Sequence, residues 1–251
     1  MSSGGPSRGR LAGRIAVITG GARGQGAAHA ERLAREGAAV IAGDVLDDAG
    51  EDTAARLRAD GLDVAYRRLD VTDPADWAAA VAAATARGGL DVLVNNAGIV
   101  HVAPIVDETL AAWNRLLAVN ATGALLGMQA AIPAMRARGG GSIINVASIF
   151  GVNASEGYVA YAASKAALIA MTKTAALEHA ADAIRVNAIC PGGVSTPMNE
   201  HEREGGVIPL TPLGRRARVA EISGAVAYLA SDDASFVTGT ELVIDGGYLA
   251  R

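Results

Sequence analysis

The feature that most constrains this chain is a rhythm. Short β-branched runs alternate with long alanine-rich stretches from residue 14 to residue 247. RIAVIT (14–19) reads as a strand, and GQGAAHAERLAREG as a helix ending at Gly37, a residue type suited to a helix C-terminus. AAVIAGD (38–44) is a second strand, followed by a helix over 48–59, and DVAYRRLD (63–70) is a third strand. Asp73-Pro74 opens the next helix, with aspartate as N-cap and proline in the first turn. LDVLVNNAG (90–98) and GSIINVAS (141–148) are strands on either side of a long helix within 108–136. A helix over 158–180, the strand AIRVNAIC (183–190), a helix over 218–230 and ELVIDGG (241–247) complete the series. Strand and helix in turn require parallel strands joined by crossovers. The expected fold is therefore α/β, a doubly wound parallel sheet with helices on both faces. Ligands on such sheets bind beyond the carboxyl ends of the strands, so residues at strand ends matter most.

The chain has 251 residues, 51% of them apolar, and no break in composition, so a single domain over 11–251 is expected behind a loose tail at 1–10. A net charge of −4 without a basic stripe argues against nucleic acid as a partner. Cys190 stands alone, which forbids an internal disulfide and suits a reducing cytoplasm. The opening MSSGGPSRGR lacks the apolar run of a secretory signal. No stretch approaches the roughly 20 apolar residues that cross a bilayer, so no membrane is expected.

The first strand runs into TGGARGQG (19–26). Gly20, Gly24 and Gly26 let the backbone turn tightly, and let a phosphate pair approach a helix N-terminus whose free N–H groups favour anions. A strand before the glycines and a helix after them is the context a dinucleotide site requires. Arg23 and Gln25 sit inside the turn. Asp44 and Val45 follow the second strand, and a carboxylate there accepts hydrogen bonds from the adenosine ribose and repels a 2′-phosphate. NAD(H) is thus expected over NADP(H), although Arg23 pulls the other way.

TGGARGQG, LDVT (69–72), NNAG (95–98), Asn120 in VNATG, Ser148, YAASK (161–165) and PGGVSTPM (191–198) occur in this order across nearly the whole chain. In this the chain resembles the short-chain dehydrogenases/reductases, with their Rossmann-like fold; in the acidic residue after the second strand, GDVLDD (43–48) and the TPM…TPLGR pattern (196–215) it is similar to NAD-dependent hydroxysteroid dehydrogenases. The resemblance implies a catalytic set of Asn120, Ser148, Tyr161 and Lys165. It implies cofactor contacts from Asp70 and Val71 at the adenine, from Asn96, Ala97 and Gly98, and from Pro191, Gly192, Val194 and Thr196 toward the nicotinamide. It also implies a homotetramer.

Two tyrosines lie near one lysine, and helix geometry separates them. Tyr161 and Lys165 are four apart and share a helix face, whereas Tyr158 has Ala162 at that offset. A phenol titrates near 10, and a nearby cation favours its ionised form. Tyr161 is therefore expected as the acid/base for the substrate oxygen, with Ser148 hydrogen-bonding the same oxygen. Lys165 is expected to hold the nicotinamide ribose, and Asn120 a water that relays protons to it.

Phe150, Val152, Asn153, Ala154 and Tyr158 are expected to wall the substrate pocket, with Met198 in a lid near 197–213. His29, His101, His179 and His201 show no metal spacing, so no metal is expected; His101 follows NNAG toward the crevice. The expected activity is interconversion of a hydrophobic secondary alcohol, steroid-like alcohols included, and its ketone. A 3-oxoacyl-thioester reductase and a nucleotide-sensing binding protein are the alternatives.

Overall fold

The computed structural model describes residues 9–196 and 208–251. Seven strands form one sheet: β1 (Ile15–Thr19), β2 (Ala39–Asp44), β3 (Val64–Arg68), β4 (Val92–Asn95), β5 (Gly141–Val146), β6 (Ile184–Pro191) and β7 (Glu241–Ile244). Their order is β3-β2-β1-β4-β5-β6-β7 and every pairing is parallel. The order reverses between β1 and β4, which opens a crevice at the carboxyl ends of these two strands.

Strand side chains alternate between two cores, as a period of two demands. Ala16 and Ile18 of β1 face one core with Leu33 of α1 (Gly24–Arg35), Leu57 of α2 (Asp47–Ala59) and Val226 of α7 (Val219–Ala230). Ile15 and Val17 face the other with Trp77 of α3 (Pro74–Ala86), Met135 of α5 (Gly123–Arg138) and Ala176 of α6 (Val159–His179). Helix α3 starts as expected, Asp73 accepting from the Ala75 N–H and Pro74 in the first turn.

Three expectations need correction. The helix expected within 108–136 is split: α4 (Leu110–Leu117) leads into a π-turn over Ala118–Thr122 before α5 begins. Arg10, assigned to the tail, is anchored through Glu36 at 2.7 Å and Asp233 at 3.1 Å; Met1 to Arg8 lie outside the described residues. The helical run Leu110–Arg138 is, among the described residues, the one long and apolar enough by length and composition to cross a membrane. Its Met128, Ala131, Ile132 and Met135 pack into the second core, the placement of a core helix.

Candidate active site

The glycine turn stands at the crevice. Gly20 and Gly24 adopt positive φ of 66° and 59°, and a Cβ on Gly26 would overlap the carbonyl oxygen of Gly20. Asn96 crosses from β4 to brace this turn, its Nδ2 donating to the Thr19 carbonyl at 2.8 Å. The Thr19 hydroxyl accepts from the N–H groups of Asn96 and Ala97, both at 3.0 Å. Gln25 carries a buried side-chain oxygen without a hydrogen-bond partner. A tight glycine turn at the N-terminus of α1, whose free N–H groups have no side-chain cap, fits the pyrophosphate of a dinucleotide. Arg23 is exposed and forms no ion pair with a described residue.

Asp44 ends β2 and grips the turn. Its Oδ2 accepts from Ala22 N–H at 3.0 Å, and its Oδ1 from Val45 and Leu46 N–H at 2.8 and 3.2 Å. A carboxylate has about four lone-pair sites, so one on Oδ2 is left for a ribose hydroxyl. Val45 is exposed at the lip. Asp70 is held below the usual carboxylate range by the N–H and then the hydroxyl of Thr72. Val71 packs against Gly123, at the start of α5. On the far side Pro191 ends β6, Gly192 N–H donates to the Ile244 carbonyl at 2.9 Å, and Val194 is buried beside Ala217. Thr196 is the last described residue before the gap, and Met198 with most of the expected lid (197–207) lies outside the described residues.

Lys165 is buried and donates to the carbonyl of Val146, the last residue of β5, at 2.7 Å. Burial pushes its ammonium down to about 8, partly offset by the Cys190 sulfur. Its Nζ lies 5.6 Å from the centre of the Tyr161 ring, one helical turn away. Two residues past Val146, Ser148 caps a short 3₁₀ turn, and its Oγ accepts from Phe150 N–H at 3.1 Å. A hydroxyl that accepts one bond still has its own proton to donate. That turn presses on α6, since a Cβ on Gly151 would stand 2.7 Å from the Lys165 carbonyl carbon. Strand tip and helix are thereby locked together, with Ser148, Tyr161 and Lys165 in one neighbourhood.

Asn120 lies in the π-turn with three hydrogen bonds to its amide. Oδ1 accepts from Ile99 N–H at 2.8 Å, and Nδ2 donates to the Ile99 carbonyl at 2.9 Å and to Ser164 Oγ at 3.1 Å. Its one open position is the second lone pair of Oδ1. Asn120 Oδ1 and Lys165 Nζ each lie 3.4 Å from the point where a Cβ on Gly98 would sit. The glycine leaves room between the amide and the ammonium.

Phe150, Tyr158 and Tyr161 form an aromatic row, with ring centres 5.0 Å and then 6.3 Å apart. Val152, Asn153 and Ala154 are exposed at its edge. Among the described residues no three His, Cys, Asp or Glu side chains cluster as metal ligands. Sequence reasoning missed the Val146 carbonyl, the clamp of Asp44 on three N–H groups, and the buried chain Asn95–Asn145–Thr172, bonded at 2.8 and 2.9 Å. The last had a legible signal, since Asn95 and Asn145 sit near the carboxyl ends of β4 and β5 and stand opposite each other in register.

A doubly wound parallel sheet with a phosphate-ready glycine turn, a buried lysine and a strand-tip serine defines a nucleotide-dependent oxidoreductase. A family model described as "Enoyl-(Acyl carrier protein) reductase" matches residues 20–249. The "3-alpha-(or 20-beta)-hydroxysteroid dehydrogenase" of Mycobacterium tuberculosis is 49% identical over 244 residues, 96% of this chain and 92% of that protein. The "Trans-4-hydroxycyclohexanecarboxylate dehydrogenase" of Sinomonas cyclohexanicum is 47% identical over 248 residues, covering 96% and 95%. A short-chain dehydrogenase/reductase from Mycobacterium marinum superposes with a TM-score of 0.92 at 38% identity, covering 96% of this chain and 97% of that one. A gluconate 5-dehydrogenase from Burkholderia cenocepacia, solved with NADP and tartrate, superposes at 0.92 with 36% identity, covering 97% and 98%. The chain belongs to the short-chain dehydrogenase/reductase family. It is an enzyme that acts on CH–OH groups with a nicotinamide cofactor.

Proposed function

We propose that this enzyme interconverts a hydrophobic ring alcohol and its ketone, using NAD(H) in preference to NADP(H). The observation that carries the reading is the lock between Lys165, one helical turn from Tyr161, and the tip of β5, two residues before Ser148. Tyr161 takes the alcohol proton in oxidation and returns it to the carbonyl oxygen in reduction. Ser148 is already accepting from Phe150 N–H and donates its own proton to that oxygen, steadying its charge. Lys165 has three donors, of which Val146 takes one. The remaining two serve the nicotinamide ribose and a water held toward Asn120 Oδ1. The ammonium also favours the phenolate of Tyr161 by attraction. A bound nicotinamide ring supplies the hydride acceptor or donor.

Residues 20 to 26 seat the pyrophosphate, and Asn96, Ala97, Gly98, Pro191, Gly192, Val194 and Thr196 border the nicotinamide half. Asp70 and Val71 border the adenine. The preference for NAD(H) rests on Asp44, whose carboxylate is pinned by three N–H groups and cannot swing away from a 2′-phosphate. The aromatic row of Phe150 and Tyr158 suits an apolar ring. A cytoplasmic homotetramer completes the reading, supported by exposed apolar side chains such as Leu110 and Leu125 along α4 and α5; size-exclusion chromatography with light scattering tests it.

The test is a turnover screen of hydroxysteroids, cyclic alcohols and ketones, and acyl thioesters, with both cofactors, followed by absorbance of the reduced nicotinamide. Thioesters are included because of the description borne by the matching family model. Turnover of ring alcohols with NAD supports the proposal. Turnover confined to thioesters, or silence with every substrate, overturns it.

A further inference from the structure

Between Gly98 and Asp107 the chain reads Ile-Val-His-Val-Ala-Pro-Ile-Val, with His101 its one polar side chain. The run starts beside the Lys165 ammonium, where Gly98 stands, and reaches Ala103, which pairs with Tyr158 and donates its N–H to the Gly157 carbonyl at 2.9 Å. It therefore skirts the aromatic row. Its apolar members are open to contact, Val102 at 57% and Ile105 at 73% exposure, and the His101 side chain is 45% exposed.

Behind His101 stands Glu108, whose side chain is 7% exposed. Both carboxyl oxygens are buried and neither has a hydrogen-bond partner among the described residues. The group that faces them is His101, with Nε2 at 3.7 Å from Oε1, an ion-pair distance too long for a hydrogen bond. A carboxylate withdrawn from water and left unbonded is costly. A purely structural glutamate would be expected to find a backbone donor. His101 turns Nε2 toward this carboxyl group, and among the described residues no hydrogen bond engages its Nδ1.

We propose that His101, oriented by Glu108, is a specificity-determining contact for the substrate. It hydrogen-bonds a second, uncharged oxygen, hydroxyl or carbonyl, on the ring whose alcohol is presented to Tyr161. An anionic group is disfavoured there, because it would share one imidazole with the Glu108 carboxyl group, which already stands within ion-pair distance. The inference rests on the ring-alcohol reading above.

The experiment compares kcat/KM for trans-1,4-cyclohexanediol, cyclohexanol and trans-4-hydroxycyclohexanecarboxylate. It uses the wild-type enzyme, His101→Ala, His101→Gln and Glu108→Gln. The diol-to-cyclohexanol ratio should fall about tenfold in His101→Ala, the worth of one good hydrogen bond, and recover in part in His101→Gln. Glu108→Gln should lower that ratio and raise the relative rate with the carboxylate. An unchanged ratio in His101→Ala overturns the inference. If the wild type oxidises none of the three, the ring-alcohol reading falls first. The same ratio is then read as dissociation constants in a Tyr161→Phe background loaded with oxidised cofactor, where equal ratios with and without His101 overturn the inference itself.

Discussion

The Lys165 ammonium donates to the Val146 carbonyl at 2.7 Å, tying the first turns of α6 to the tip of β5. One bond across 19 residues thereby anchors the helix that bears Tyr161 to the strand that leads into Ser148. It also places a cation where water is scarce, with consequences for activity and for stability.

Tyr161→Phe keeps the ring in the aromatic row and removes only its oxygen. Turnover should drop about 10²- to 10⁴-fold, the usual worth of a positioned proton donor. Binding of the reduced cofactor, followed by its fluorescence, should stay within a few-fold of wild type. Near-normal turnover would assign the proton transfer to another group.

Lys165 makes stability depend on pH. Burial pushes its folded value down to about 8, whereas in the unfolded chain it titrates near 10.5. Between these values the unfolded chain binds more protons, so this group's contribution rises with pH and its penalty is full below about 8. The penalty is about 3 kcal/mol at most. Lys165→Met should therefore melt higher than wild type at pH 7, less the lost bond to Val146, and the gap should shrink toward pH 10 while turnover is abolished. A gap in Tm that does not vary with pH would contradict the burial argument.

Gly98→Ala adds a methyl in ordinary contact with both Asn120 Oδ1 and Lys165 Nζ, 3.4 Å from each. The fold should tolerate it, with Tm within a few degrees. It fills the space assigned to the relaying water, so kcat should fall on the order of tenfold, the loss of about one hydrogen-bonded contact. Rates equal to wild type would place the relay elsewhere.

Asp44→Ala removes the carboxylate proposed to face the adenosine ribose and leaves Ala22, Val45 and Leu46 N–H groups without their acceptor. The ratio of kcat/KM for NAD over NADP should fall by about 10- to 100-fold, the range for hydrogen bonds to a charged group. Stability should fall as well, by about 1–3 kcal/mol. An unaltered cofactor ratio would move the discrimination to another residue.

The π-turn shows why some of the site was hidden from sequence. The pattern over 108–136 reads as one uninterrupted helix, because helical periodicity is a local property. The Asn120 amide is clamped by Ile99 on a different segment, and the ladder widens there to a five-residue step. Glu108 was equally silent, since nothing near it in the chain announces that both its oxygens are buried.

By itself the sequence determined what short-range geometry controls. Alternating periods of two and 3.6 specified a parallel sheet between helix layers, glycines after a strand specified the tight turn before α1, and a four-residue offset put Tyr161, not Tyr158, on the helix face of Lys165. Only the tertiary structure decided what those parts face: Lys165 against Val146, Asp44 gripping the glycine turn, Gly98 between an amide and an ammonium, and His101 before a buried carboxylate. The physical reason is range. Backbone periodicity and turn chemistry act within a few residues, whereas burial and hydrogen-bond pairing depend on which distant segment arrives to exclude the water.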